Sequence, residues 1–215
     1  MQYFQSDFLD FVLANEILRF GKFTLKSGRI SPYFFNAGLF NSGKKLAFLA
    51  KSYAAAIMDS GQQFDVLFGP AYKGIPLVSA TALALNNNHG MDRPYCFNRK
   101  EVKDHGERGT IVGAALSGKV LIIDDVITAG TAVREAVEIL QDNNAKLSGI
   151  VVAMDRQERG NRGLSAIQEI EDAYQISVTS IINLRNIIDY LESSSDSILE
   201  EHLESIIAYH KEYGV

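Results

Sequence analysis

From residue 64 onward, the chain alternates short apolar runs with stretches of helical pattern, and this alternation most limits the folds open to it. The apolar runs lie at 64–69, 94–98, 120–124 and 148–154, and helical patterns cover 75–86 and 131–142. Short strands that are apolar throughout are typical of parallel strands with both faces covered by helices. The sequence therefore predicts an α/β fold, doubly wound, with a central, mostly parallel sheet flanked by helices.

The residues on either side of this alternation have other patterns. Apolar side chains at helical spacing predict an N-terminal helix: Phe4, Phe8, Phe11, Val12 and Ile17. Residues 22–41 mix Thr, Phe and Tyr with Gly and Pro, which predicts short strands joined by turns. Residues 43–60 predict a helix rich in Ala and Leu. The last thirty residues predict polar helices, with a turn and helix cap at 193–197.

The composition excludes several classes of protein. The formal net charge of −5 over 215 residues counts against a non-specific nucleic-acid binder, which needs surplus Lys and Arg. The single cysteine, Cys96, permits no intramolecular disulfide, and its apolar surroundings predict a small, half-buried hydrophobic residue rather than a nucleophile. No apolar stretch reaches the roughly 20 residues of a membrane span, and the N-terminus lacks the basic start of a signal peptide. We therefore expect a cytoplasmic protein.

Ligands of doubly wound sheets bind beyond the carboxyl ends of the strands. Four segments of this chain occupy that place: 69–74, 99–109, 124–132 and the pair 155–156. These four segments are therefore the candidates for the ligand-binding and catalytic site.

The segment 120–132, VLIIDDVITAGTA, carries the strongest signal. A buried strand delivers the adjacent carboxylates of Asp124 and Asp125, and a loop of small and hydroxyl residues then enters a helix. Small residues allow close approach of the backbone, and free N–H groups at a helix start attract an anion, so the loop predicts a phosphate site. The acids fit a ligand that also has hydroxyls, or a hydrated Mg²⁺. The alternative is a capped helix whose acids merely face solvent.

This segment resembles the phosphoribosyl pyrophosphate (PRPP) motif of type I phosphoribosyltransferases. Four other segments resemble bacterial orotate phosphoribosyltransferases in the same order: TLKSGRISPYFFNAG at 24–38, GPAYKGIPL at 69–77, FNRKEVKDHGERG at 97–109, and Asp155-Arg156. The resemblance covers nearly the whole chain. It implies one phosphoribosyltransferase domain over 1–215, with a small hood largely from 1–42 plus C-terminal contributions, and a core over about 43–185.

The resemblance also implies an activity. It is that of a glycosyltransferase (pentosyltransferase) that forms orotidine 5′-phosphate and pyrophosphate from orotate and PRPP, in pyrimidine biosynthesis. The cofactor implied is Mg²⁺, held by PRPP and water near Asp124 and Asp125, with no direct protein ligand. The implied partners are orotate and PRPP, without nucleic acid or membrane, in a homodimer.

The resemblance assigns residues to PRPP. Residues 128–132 would hold the 5-phosphate, Asp124 and Asp125 the ribose hydroxyls, and Tyr72 and Lys73 the pyrophosphate. The full implied set is Lys26, Tyr72, Lys73, Arg99, Lys100, Lys103, His105, Asp124, Asp125, Val126, Ile127, Thr128, Ala129, Gly130, Thr131 and Ala132.

The resemblance assigns a second set to orotate: Lys26, Phe34, Phe35, Thr128 and Arg156. Phe34 and Phe35 would flank the flat ring. Thr128 and Arg156 would meet its polar edge and carboxylate, because the planar guanidinium can bond both carboxylate oxygens.

The catalytic residues implied are Lys73, Lys103, His105, Asp124 and Asp125. Residues 99–109 would form a mobile loop that closes over PRPP in the neighbouring subunit, excluding water and neutralising the departing pyrophosphate. Composition alone would leave this segment a solvated loop. His105 fits either a general base or a phosphate donor, and Arg108 has no assigned role.

Two other functions fit the same motif. One is a phosphoribosyltransferase for another base, such as hypoxanthine or uracil; Phe34-Phe35 with Arg156 favours an anionic pyrimidine. The other is a PRPP-sensing regulator without turnover, which would need a basic nucleic-acid-binding surface that no segment supplies.

Overall fold

The computed structural model describes residues 1–25, 27–103, 109–128, 130–160, 163–194 and 197–215. Helices and strands follow one another along the chain in this order: α1 Tyr3–Ala14, β1 Leu18–Thr24, β2 Ile30–Phe35, a short 3₁₀ helix Ala37–Leu39, α2 Gly43–Ser60, β3 Val66–Gly69, α3 Gly74–His89, β4 Tyr95–Lys103, β5 Gly109–Gly113, β6 Lys119–Ile123, α4 Thr131–Asp142, β7 Lys146–Asp155, α5 Ala166–Tyr174, β8 Ser177–Asn183, α6 Leu184–Ser193 and α7 Ser197–Tyr213.

The central sheet has six strands in the order β5-β4-β3-β6-β7-β8. The pairs from β4 to β8 are parallel, and only β4 and β5 pair antiparallel. Successive side chains of a strand face opposite sides of the sheet, so Leu121 joins one apolar layer while Ile122 joins the other. Helices α1, α2, α3, α6 and α7 contribute to the first layer, and α4 and α5 to the second. The predicted α/β fold, mostly parallel with helices on both faces, is confirmed.

Strands β3 and β6 lie side by side at the centre, with Val66 opposite Val120 and Phe68 opposite Ile122. All four residues of β3 are buried, as are the last four of β6. The chain order jumps across the sheet at this pair, so the loops after β3 and β6 emerge next to each other. This topology brings the segments 69–74 and 124–132 together.

The edges of the sheet differ most from the sequence-based prediction. Strand β4 continues through polar residues to Lys103, and β5 returns antiparallel to it, with Phe97 opposite Val112. Part of the loop predicted at 99–109 is therefore strand, and residues 104–108 lie outside the described residues. Edge strands carry polar side chains on exposed faces, so they lack the continuous apolar run that marks a buried parallel strand. The opposite edge strand, β8, was not predicted for the same reason, since Ser and Thr interrupt its apolar residues. Helix α5, before β8, was not predicted either.

The N-terminal helix is shorter than its apolar spacing indicates. It ends at Ala14, and Asn15 closes it by donating its Nδ2 to the Phe11 carbonyl over 2.9 Å. Ile17 is fully buried but lies outside the helix. Strands β1 and β2 form a separate antiparallel hairpin, and the Tyr33 ring of β2 meets Tyr209 of α7 edge-on at 6.2 Å. The domain boundaries and the hood stay predictions.

Cys96 lies on β4 and is fully buried. Burial raises the pKa of its thiol to about 12. The prediction of a small hydrophobic residue rather than a nucleophile is confirmed, because the thiolate is the reactive form. The burial of Cys96 is complete, not half as predicted.

None of the helices in the described residues combines the length and apolar character that crossing a membrane requires.

Candidate active site

The acid pair lies directly after β6, and both residues are buried. Asp124 is 8% exposed and Asp125 7%. The backbone N–H of Asp125 donates to Oδ1 of Asp124 over 2.9 Å, and the hydroxyl of Tyr53 in α2 donates to the Asp124 carbonyl over 2.7 Å. Burial, reinforced by the charge of Asp125, raises the pKa of Asp124 to about 7. The alternative of acids that merely face solvent at a helix cap is wrong.

Lys73 connects the acid pair to the loop after β3. Its Nζ lies 2.6 Å from Oδ2 of Asp125, and its side chain is 70% exposed. The ion pair therefore lies at the surface of the site, with the carboxylate on the buried side. A ligand that brings its own anion can reach this ammonium group from solvent.

The loop between β3 and α3 is tight, and two features shape it. A Cβ atom at Gly69 would collide with the carbonyl oxygen of Gly74, so only glycine fits there. The backbone N–H of Ala71 donates to Oδ1 of Asn98 over 2.8 Å. Asn98 is buried at 7% exposure, and its amide thus ties the loop that carries Lys73 to the neighbouring strand β4.

A cavity of about 250 Å³ opens where the loop after β6 enters α4. It is lined by Asp124, Val126, Ile127, Thr128, Gly130, Thr131, Ala132 and Val133. Gly130 precedes the helix with φ 70°, a left-handed conformation that favours glycine. Within the described ranges, no side chain caps this helix start, and the first turn of α4 contains no acid. The positive end of the helix dipole is therefore available to an anion, as a phosphate cradle requires.

Comparison with known proteins shows to which protein family the chain belongs. The phosphoribosyl transferase domain family model matches residues 39–171. Over all 215 residues, the chain is 57% identical to the orotate phosphoribosyltransferase of Escherichia coli O139:H28, with both chains covered completely. The chain belongs to the orotate phosphoribosyltransferase family.

Solved structures of orotate phosphoribosyltransferases share the fold. That of Francisella tularensis is 45% identical and superposes with a TM-score of 0.87, covering 97% of this chain and 96% of its own. That of Mycobacterium tuberculosis in complex with PRPP is 20% identical, with a TM-score of 0.61 over 85% of this chain and 98% of its own, which shows likeness of fold alone.

Among the remaining residues that the orotate phosphoribosyltransferase resemblance assigns to PRPP, the side chains of Tyr72, Arg99 and Lys100 are described. Tyr72 is 70% exposed. Lys100 pairs with Glu135 of α4, Nζ to Oε2, over 3.1 Å, which joins the exposed end of β4 to the helix behind the cradle. Arg99 lies on β4 and is partly buried. Lys26, His105, Ala129 and the side chain of Lys103 lie outside the described residues.

Arg156 follows β7 and connects it to the β1–β2 hairpin. Its Nε donates to Oε1 of Glu158 over 2.8 Å, and its Nη2 donates to Oγ of Ser31 over 3.0 Å. The guanidinium carbon lies 4.3 Å from the ring centroid of Tyr33, within the range of a cation–π contact. Arg156 and Thr128 are the two residues assigned to orotate's polar edge. The Arg156 guanidinium is held by three side chains, those of Glu158, Ser31 and Tyr33. Thr128 is exposed.

Phe34 and Phe35 project from opposite faces of β2, as neighbouring strand residues do. The Phe34 ring packs on Phe23 at 5.5 Å. The Phe35 ring lies 6.5 Å from Phe8 and 6.4 Å from Phe40, against the apolar layer. One flat base cannot lie between these two rings on a single face of the strand, so the expected flanking arrangement does not match this geometry. A role for either residue in orotate binding by this orotate phosphoribosyltransferase family member stays a prediction.

Sequence reasoning did not find three residues that shape the site: Tyr53, Asn98 and Glu158. The sequence position of Asn98 could have indicated its role, because it stands at the end of an apolar run, and ligands bind beyond the carboxyl ends of such strands. Glu158 stands two residues after Arg156, which is a weak signal. Tyr53 had none, since its position in the middle of a helix says nothing about a contact 71 residues away.

Proposed function

We propose that the chain transfers ribose 5-phosphate from PRPP to N1 of orotate, releasing orotidine 5′-phosphate and pyrophosphate, and that it acts in pyrimidine biosynthesis. The observation that carries the proposal is the buried Asp124–Asp125 pair beside an uncapped helix start. Full-length identity of 57% to an orotate phosphoribosyltransferase supports the choice of base.

PRPP has two anionic ends and a hydroxyl-bearing ribose between them. We assign the 5-phosphate to the cavity of about 250 Å³ at the start of α4, where backbone N–H groups and the hydroxyls of Thr128 and Thr131 are donors. Carboxylates accept hydrogen bonds from hydroxyls, so the ribose belongs over Asp124 and Asp125. The pyrophosphate then reaches Lys73.

The donor set fits Mg²⁺ held through water. Two adjacent carboxylates are hard oxygen groups, and Mg²⁺ keeps several of its waters and shares phosphate oxygens with its substrate. The described residues contain no cluster of three or more His, Cys, Asp or Glu placed to bind a metal ion. Asp124 and Asp125 would therefore hold the ion's water ligands. When bound, Mg²⁺ supplies positive charge to the pyrophosphate.

The chain's own contribution is positioning and charge compensation. Bond breaking at C1 leaves positive charge on the ribose, near the carboxylates of Asp124 and Asp125. The ammonium of Lys73 lies 2.6 Å from Asp125 and is 70% exposed, so it can turn to the departing pyrophosphate without leaving the site. Arg156 would hold the orotate carboxylate and so direct N1 toward C1. Lys26, Arg99, Lys100, Lys103 and His105 complete the proposed anion-binding set.

We further propose a homodimer in which residues 99–109 complete the partner's site. Mixing inactive Lys103→Ala and Asp125→Asn chains tests it, because some mixed dimers would regain one site with both residues intact. We expect activity to recover in proportion to subunit exchange, which is measured with labelled chains. Proven exchange without recovery would mean that the loop serves its own chain.

The cytoplasmic location stays a prediction.

The deciding assay follows the loss of orotate absorbance when PRPP and MgCl₂ are added. We expect turnover with orotate, and none with hypoxanthine or uracil at equal concentration. Turnover of another base but not of orotate would favour a different phosphoribosyltransferase. PRPP binding without turnover of any base would favour a PRPP sensor.

A further inference from the structure

An acidic side chain lies directly against the arginine that the proposed function places at orotate. Oε1 of Glu158 accepts from Arg156 Nε over 2.8 Å and lies 2.6 Å from Nη2. The two side chains are 14% and 18% exposed. Hydrogen bonds between ionised partners are stronger and more directional than neutral ones, and this pair is largely removed from water. Glu158 therefore fixes one edge of the guanidinium.

Glu158 is itself held by the C-terminal helix. The hydroxyl of Tyr209 in α7 donates to the same Oε1 over 3.0 Å. The backbone at Glu158 pairs antiparallel with Gly214, and the Val215 N–H donates to the Gln157 carbonyl over 3.0 Å. The last residues of the described chain thus act as a short strand against the segment that carries Arg156 and Glu158.

The hairpin holds the guanidinium through Nη2, the same nitrogen that contacts Glu158, and through one flat face. Ser31 accepts from Nη2 over 3.0 Å, and its Oγ in turn donates to the Tyr33 carbonyl over 2.7 Å. The Tyr33 ring covers one flat face of the guanidinium at 4.3 Å. Arg156 is therefore held by three side chains, those of Glu158, Ser31 and Tyr33, before any ligand binds. Ligand binding then does not have to offset the entropy of ordering this arginine.

We propose that Glu158 is a positioning residue that presets Arg156 for the carboxylate of the base, and that Tyr209 makes α7 part of this support. The inference rests on the proposed function, which puts that carboxylate at Arg156. Glu158 acts only through Arg156.

The sign of the effect separates positioning from simple electrostatics. Glu158 is an anion close to where a second anion binds, so its charge alone opposes orotate. If charge dominated, removing Glu158 would tighten orotate binding. If positioning dominates, removing it weakens orotate binding, because a free arginine must be ordered by the substrate itself.

The test is steady-state kinetics of Glu158→Ala, Glu158→Gln and Tyr209→Phe, with Glu204→Ala on the exposed face of α7 as the matched control. We expect Glu158→Ala to raise the KM for orotate by about tenfold, as loss of a charge-assisted pair implies. Glu158→Gln keeps an acceptor oxygen and should raise the KM less. Tyr209→Phe, which removes one neutral donor, should raise it by about two- to fivefold. The KM for PRPP should stay within about twofold throughout, since Arg156 is assigned to the base alone.

A second readout distinguishes positioning from general distortion. Uracil lacks the carboxylate, so its inhibition constant should not change in any variant. An unchanged or lowered KM for orotate would overturn the proposal, and so would a parallel rise in the KM for orotate and the inhibition constant of uracil. If Glu158→Ala does not fold, Glu158→Gln and Tyr209→Phe decide the same question. Absence of orotate turnover in the unmodified chain would instead contradict the proposed function, and with it this inference.

Discussion

Two buried tyrosine hydroxyls offer a matched test of what supports the acid pair. The side chains of Tyr53 and Tyr33 are both 0% exposed. The Tyr53 hydroxyl donates to the Asp124 carbonyl over 2.7 Å, whereas the Tyr33 hydroxyl has no hydrogen-bond partner within the described parts of the chain. Burial, with the nearby charges of Asp125 and Asp124, raises the pKa of Tyr53 well above its ordinary value, so the hydroxyl is a donor at neutral pH.

The replacement Tyr53→Phe removes that donor and leaves a buried carbonyl with one partner fewer. Such a loss costs about 1–3 kcal/mol. For a chain of this size each kcal/mol lowers Tm by roughly 2–4 °C, so a fall of about 2–12 °C is expected. Tyr33→Phe keeps the ring on Arg156 and removes a hydroxyl whose burial no hydrogen bond compensates. We expect it to leave Tm unchanged or to raise it slightly.

The measurement is the urea midpoint and Tm of both variants and the unmodified chain. Protein concentration must be equal throughout, because association shifts apparent stability. The reasoning is refuted if Tyr33→Phe destabilises the chain as much as Tyr53→Phe does. Equal effects would mean that loss of packing, and not the Asp124 contact, sets the cost.

Three further predictions concern the site itself. Asp125→Asn should lower kcat by at least about tenfold, since it removes a charge needed at the ribose. Its Tm should stay within a few degrees of that of the unmodified chain. A large fall in Tm with a proportionate loss of activity would indicate a structural role for Asp125. Because burial raises the pKa of Asp124 to about 7, the folded chain keeps a proton that the unfolded chain loses near its ordinary 3.8. The free energy of unfolding should therefore fall as pH rises from about 4 to about 7, and urea titrations of Asp124→Asn should lack that slope. Gly130→Ala forces a left-handed φ of 70° on a residue with a Cβ, at a cost of about 1–2 kcal/mol, and should raise the KM for PRPP. Gly61→Ala, with φ 63° at the remote end of α2, has open space around the new Cβ, whereas the Cβ at Gly130 would lie 3.2 Å from Ile170 Cδ1. The Gly61 variant should therefore lose no more stability than the Gly130 variant, and it should not raise the KM for PRPP.

The pattern of apolar residues in the sequence was sufficient to predict the strands that are buried on both faces. The central strands β3, β6 and β7, with helices α2, α3 and α4, were predicted to within a few residues, because a covered parallel strand must be apolar throughout. The edge strands β5 and β8 were not predicted, since β5 is a short run bounded by glycines and β8 mixes Ser and Thr with Val and Ile.

The sequence by itself determined the fold class, the family and the place of the acid pair after a buried strand, because each of these depends on neighbours in the chain. Tertiary structure decided the rest. Only the folded chain shows that Tyr53 fixes the Asp124 backbone, that Asn98 ties down the loop of Lys73, and that Glu158 and α7 hold Arg156. Such contacts join residues far apart in sequence, and they depend on strand register and helix packing, which a local pattern does not encode. The facing of Phe34 and Phe35 to opposite sides of β2 has the same origin, since the pleat of the strand separates adjacent side chains.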